Sequence, residues 1–129
     1  MAQMKWEEAP DVKKIAGKIL SRGTFSHICG DFLYFFRGFG SSSKAIARIW
    51  SLPTPWQQAL KIKPQYIIEV ISHRFDKLNE EEKIKTIIHE LMHIPKTFSG
   101  ALVSHRGKHH RIDRKTVDKK YEDYLTRRK

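Results

Sequence analysis

The chain has 129 residues, with 25 Lys and Arg against 14 Asp and Glu and a formal net charge of +11 at pH 7. Hydrophobic residues make up 40 % and aromatics 11 %, enough for a core of its own, which argues against a disordered tail or a purely electrostatic linker and for one folded domain over residues 1–129. A lone cysteine, Cys29, excludes an intramolecular disulfide framework and a zinc ribbon of paired Cys-x-x-Cys knuckles.

The opening MAQMKWEEAPDVKK carries acids where a signal peptide needs a basic start and an apolar stretch. No later run reaches bilayer-spanning length. A cytoplasmic protein with no membrane partner is therefore expected. The basic excess raises affinity for phosphate polymers in general and says nothing about fold.

Residues 11–22 (DVKKIAGKILSR) place Ile15, Ile19 and Leu20 at helical spacing, with Pro10 before and Gly23 after as start and stop signals. From His27 to Phe36 the run FLYFF suits a buried strand, closed by Gly38, Gly40 and three serines that read as a turn. A short strand is predicted over Ala45 to Trp50, and the β-branched YIIEVIS at 66–72 predicts a third, after punctuation by Pro53, Pro55 and Pro64. Asn79 is a good N-cap, with Glu82 three residues on in a capping-box pattern and Glu80 and Glu81 beside the positive end of the dipole. The helix it starts carries Ile84, Ile87, Ile88, Leu91 and Met92 at i, i+3, i+4, i+7 and i+8, and Pro95 ends it around Ile94. Residues 114–126 read as a charged helix with Val117, Tyr121 and Leu125 on one side.

Inside the helix before Pro95 stand His89, Glu90, Leu91, Met92 and His93, a complete H-E-x-x-H. Residues four apart on a helix lie one above the other, so two imidazoles project to the same side and can share one tetrahedral ion, with Glu90 alongside. The pattern points to zinc (Zn2+) as cofactor and to Glu90 as catalytic general base and then acid in peptide hydrolysis. An open catalytic site needs a third protein ligand. The downstream candidates are His105, His109, His110, Asp113, Asp118 and Glu122. The metzincin continuation fails, because Lys96 stands where its glycine would be, while Glu122 could serve in a thermolysin-like arrangement. His105 is favoured by context: Gly100 lets the chain turn back after the helix, and a neutral imidazole suits zinc. His109 and His110, among Arg106, Lys108 and Arg111, read as a solvated basic stretch.

The segment HELMHIPKTFSGALVSH, with the upstream GSSSKAIARIWSLP and YIIEVISHRFDKL, resembles the small metallopeptidases found in archaea, bacteria and phages. The likeness covers roughly residues 25–125. More remotely, Gly100 and His105 after the H-E-x-x-H are similar to the arrangement in Spartan-like (SprT) proteases. The resemblance implies metal ligands at His89, His93 and His105 and a catalytic Glu90. Arg106, where a glycine would follow the third histidine, and a shorter spacing depart from the Spartan-like pattern.

The expected fold is an α+β, zincin-like domain: an opening helix, a small mixed sheet of about three strands, the H-E-x-x-H helix packed on it, and a closing helix. Ala45–Trp50 is the expected edge strand beside the site, where a peptide or protein substrate could add as an extra strand. The stretch Arg37, Gly38, Phe39, Gly40 matches half of an RNA-recognition signature, but Ser41–Ser43 break it, and a strand-to-loop transition is the better reading. Lys44 and Arg48 flank that turn and could contribute to an anionic groove. Residues 105–129 hold 10 Lys and Arg against 4 Asp and Glu, which suits either weak nucleic-acid binding or a solvated helix with a basic end. Trp6, Trp50 and Trp56 read as core or subsite residues. A nucleic-acid-binding protein with a structural zinc, or a peptidase acting on proteins bound to nucleic acid, is the competing reading. Oligomeric state is left open.

Overall fold

The computed structural model describes residues 4–106 and 111–127. Its elements in chain order are β1 (Lys5–Glu8), α1 (Pro10–Ser21), β2 (Leu33–Phe39), β3 (Ala47–Ser51), α2 (Thr54–Leu60), β4 (Tyr66–Ile71), α3 (Ser72–Phe75), α4 (Glu80–Met92) and α5 (Arg114–Thr126). The four strands form one mixed sheet in the order β1-β2-β4-β3. β4 runs parallel to β2 and antiparallel to β3, and β1 pairs antiparallel with β2. The architecture is α+β and consistent with a zincin-like fold.

Alternation along the strands assigns the two faces. Leu33, Phe35, Tyr66, Ile68 and Val70 point to the helices and are buried, with Ala47 and Ile49 packed at the margin of that core. Against them lie Val12, Ala16 and Ile19 of α1 and Ile87, Ile88 and Leu91 of α4, all wholly buried. Each set follows a helical period, so each helix gives one stripe to the core. Pro10 sits at the first helical position of α1, where its missing N–H is no loss. Asn79 Oδ1 accepts from the Glu82 N–H at 2.9 Å and starts α4. α5 begins with a reciprocal capping box between Asp113 and Thr116.

The sheet has four strands where the residue pattern predicts about three. β1 (KWEE) is exposed along its whole length and is held by its backbone pairing to β2, so it carries no apolar periodicity to read. A strand therefore precedes the opening helix. β2 begins at Leu33, later than the expected His27, because Gly30–Phe32 forms a 3-10 turn. α2 falls among prolines that read as breakers, yet Pro53 is its N-cap and Pro55 stands in its first turn, where proline is tolerated. In α5 the buried side is Val117 and Tyr124, while Leu125 is exposed.

Arg37 bonds Asp11 in α1 and Asp76 after α3, which ties both to β2. This pairing, with β2 ending at Phe39, makes the Arg37–Gly40 stretch a strand-to-loop transition. Gly38 is required by close approach, since a Cβ there would lie 2.1 Å from Glu69 Oε2. None of Trp6, Trp50 and Trp56 enters the core, each being about half exposed. No helix among the described residues is long and apolar enough to cross a membrane.

Candidate metal centre

α4 supplies the first half of the site. His89 lies in its last turn, Glu90 follows, and His93 is the C-cap residue in helical conformation. The chain must then reverse to bring a further residue back over the helix. Phe98 and Gly100 both take positive φ, +47° and +95°. Gly100 is needed twice, because a side chain there would also meet Gln57 Nε2 at 2.2 Å and the Leu52 carbonyl at 2.9 Å. The buried Tyr66 hydroxyl accepts from the Gly100 N–H at 2.8 Å and donates to the Ala101 carbonyl at 2.9 Å, pinning the return segment to β4. Val103 then pairs with His93: its N–H donates to the His93 carbonyl at 2.7 Å. These bonds deliver His105.

The result is a three-imidazole cluster. Ligand-capable nitrogens of His89, His93 and His105 all lie within 4.8 Å of one another, and His89 Nε2 and His105 Nε2 are 3.1 Å apart. His93 Nδ1 lies 2.6 Å from the Val103 carbonyl. A carbonyl only accepts, so Nδ1 carries the proton, and in the neutral ring the Nε2 lone pair is left for the cluster. The donor set, three imidazoles of which two can approach one ion from the same helix side, fits a divalent transition-metal ion.

Electrostatics favour the neutral rings of His89 and His93. Burial, with His93 and His105 beside it, holds His89 down to about 4. His93 is lowered as well, chiefly by burial, against the opposing bond to Val103. Glu90 is buried, and that burial pushes its carboxyl up to about 7. Such a shift places a proton acceptor near neutral pH in a cleft, which is a common signature of a working site.

The cleft is a groove of about 700 Å³ running between α4, α5 and β3, with His89, Glu90, His93 and His105 on its wall. Its opposite rim includes Lys44, Arg48, Ala47 and Ile49. β3 is the outermost strand on this side. Leu52 N bonds Gln65 O and Ile71 N bonds Ile46 O, so the even-numbered residues of β3 face β4. In an antiparallel pair the intervening residues then turn their N–H and C=O outward, which leaves Ala47, Ile49 and Ser51 presenting an open edge. The expected edge strand thus lies at the edge, shifted to Ala47–Ser51.

The other candidate ligands are placed elsewhere. Asp113 caps α5, Asp118 lines the groove but pairs with Lys85 at 3.0 Å, and Glu122 is exposed on α5 outside the cluster. His109 and His110 lie outside the described residues. Two contributors were not legible in the residue pattern. One is the Val103 carbonyl that orients His93, and the other is Tyr66, which reads as an ordinary strand aromatic.

Fold and site together define a class: an α+β protein whose central helix and return loop bring three histidines around one point beside a buried carboxylate. Residues 4–124 match the family described as "Putative phage metallopeptidase", and the chain belongs to that family. No curated protein and no solved structure matches it. Family and histidine cluster together suggest a metal-dependent peptidase acting on protein or peptide substrates.

Proposed function

We propose that the protein is a zinc-dependent peptidase of the H-E-x-x-H type, with His89, His93 and His105 as metal ligands and Glu90 as the catalytic residue. The observation that carries this reading is the convergence of the three imidazoles beside buried Glu90 in a groove bordered by an open strand edge. A zinc ion held by His89, His93 and His105 would supply Lewis acidity toward the scissile carbonyl and the attacking water. Glu90 takes the proton of the attacking water on its carboxylate and gives it to the leaving amine nitrogen as the C–N bond breaks. A substrate in extended conformation hydrogen-bonds to the outward N–H and C=O groups of Ala47 and Ile49, which aligns its backbone along the groove. Recognition through backbone groups implies modest side-chain selectivity.

The test is metal content and turnover in two variants. Glu90→Gln retains about one zinc per chain by plasma mass spectrometry and loses about 100-fold or more in kcat on an unfolded protein substrate. His93→Ala loses both metal and activity. Equal metal loss in the two variants would show that Glu90 is a ligand or scaffold residue, and folded wild-type protein that refuses zinc would overturn the reading.

A further inference from the structure

The groove beside the three histidines differs in character from end to end. Lys85 and Glu82 line it one and two turns before His89 on α4, and Arg114 and Asp118 line it from the first two turns of α5. These charges are engaged with one another, since Lys85 Nζ lies 3.0 Å from Asp118 and Arg114 lies 3.9 Å from Glu82. β3 runs from this charged end to the metal end. Just before it, the Ser43 carbonyl accepts from Arg74 of α3 at 3.1 Å, close to the start of α4, and Lys44 follows on the rim. Just after it, Gln57 Nε2 donates to both the Leu52 and the Ser99 carbonyls, at 2.7 and 3.2 Å, which joins the end of the strand to the return segment. Arg48 on the rim is held by Glu69 under the sheet face away from the helices. Towards the metal end, the lining side chains other than the histidines and Glu90 include two aliphatic ones, Ile49 from β3 and Leu102 from the return segment.

Leu102 is fixed from both sides. The carbonyl of Ala101 before it accepts from the Tyr66 hydroxyl, and the N–H of Val103 after it donates to the His93 carbonyl. The return segment is therefore tied to β4 and to the end of α4 on either side of this one residue. Val103 packs against the core, whereas Leu102 lines the groove and stays 43 % exposed. Its backbone is next to the residue that orients His93 and three residues from His105, so its side chain stands on the wall of the metal centre. Ile49 is half-buried at the margin of the core and lines the same cavity from the strand edge. A leucine held in this way offers apolar surface that a ligand can cover without first ordering a loop.

We propose that Leu102, with Ile49 beside it, forms a subsite for an apolar side chain, Leu, Met or Phe, on a residue flanking the scissile bond. Leu102 is then a specificity-determining residue, and the substrate class is an extended, unfolded segment of protein that carries an apolar residue at the cut. The inference rests on the peptidase reading of the groove and deepens it. A charged side chain placed against Leu102 and Ile49 would lose hydration there, while the groove's Lys85, Asp118, Arg114 and Glu82 are paired at its other end. Those groups are also too far along to act at the cut. Two turns of α4 rise about 11 Å, which an extended chain covers in about three residues, so charge is read several positions away and apolar bulk is read beside the scissile bond.

The experiment reads binding apart from turnover. Full-length Glu90→Gln protein, with zinc and without it, is titrated by NMR with capped octapeptides of Ser, Gly and Thr that carry a single central Leu, Ala, Asp or Lys. In parallel, zinc-loaded wild type digests an unfolded, carboxymethylated protein, and the cut sites are read by mass spectrometry. The expected result is about tenfold tighter binding of the Leu peptide than of the Asp and Lys peptides, with the Leu102 methyl resonances shifting, and enrichment of Leu, Met and Phe at a position flanking the cut. Leu102→Ala reduces the preference to about twofold with metal content unchanged, Leu102→Met retains it, and Leu102→Glu turns it toward the Lys peptide. Equal binding of the four peptides, or a preference that survives in folded Leu102→Ala, would overturn the inference even where the wild type cleaves. A preference that depends on Leu102 in a protein that takes up zinc and cleaves nothing supports the subsite and removes the peptidase reading instead.

Discussion

Glu69 and Glu90 are both buried carboxylates, one beneath the open face of the sheet and the other on the helix that covers the opposite face, and their environments act in opposite directions. At Glu69 burial pushes the carboxyl up, but hydrogen bonds from Arg48 and the indoles of Trp50 and Trp6, with the Arg48 charge, outweigh it and hold it below the ordinary range. At Glu90 burial acts without an opposing partner among the described residues and raises the carboxyl to about 7. Burial alone therefore does not tell structure from chemistry. A carboxylate with its partners in place locks Arg48 and Trp50, whereas one left unpartnered in a groove is poised to exchange a proton.

The largest expected effect breaks the Glu69 side of this contrast. Glu69→Gln removes the buried charge that pairs half-buried Arg48 and receives the Trp50 N–H, and should destabilise the protein by about 3 kcal/mol at pH 8, by urea unfolding. A group whose carboxyl is lowered contributes stability above its ordinary value of 4.5 and loses it as pH falls further, so the penalty shrinks in acid. Glu90→Gln should show the opposite sign in metal-free protein. A raised carboxyl favours the folded state below 4.5 and opposes it as pH rises through about 7, so glutamine should stabilise at pH 8 by an amount bounded on the order of 3 kcal/mol, and little at pH 4.5. Parallel pH profiles for the two variants would dissolve the distinction.

The smallest effect concerns the edge shared by the two faces. Ile49→Pro deletes one outward N–H without breaking the β3–β4 ladder and should reduce kcat/KM on extended peptides by about tenfold, while metal content is unchanged. An unchanged kcat/KM would remove the strand-addition mode of docking while leaving the metal centre intact.

Much of this was legible before any tertiary contact was known. The Asn79 cap, the apolar spacing from Ile84 to Met92 and the stop at Pro95 describe α4 closely, because capping and amphipathic burial are local rules that act over a few residues. His89 and His93 shared a side for the same reason. Gly100 was recognisable as a turn because a positive φ favours glycine. β1 and α2 were not, since a strand exposed along its whole length and a short helix among prolines leave no periodic apolar signature.

By itself, then, the residue order determined the α+β class, the helix that carries His89, Glu90 and His93, and the basic balance of the chain. Tertiary structure decided that His105 returns to those two histidines while Glu122 stays outside, that Val103 selects the His93 nitrogen, and that Ala47–Ser51 is an open edge facing the groove. It also decided that Glu69 is a tied anchor and Glu90 an unpartnered acid, although each is a glutamate followed by an apolar residue in the chain. The physical reason is range: periodicity and capping are written within one turn or strand, whereas convergence of imidazoles, partnering of a buried charge and exposure of a strand edge depend on residues tens of positions apart.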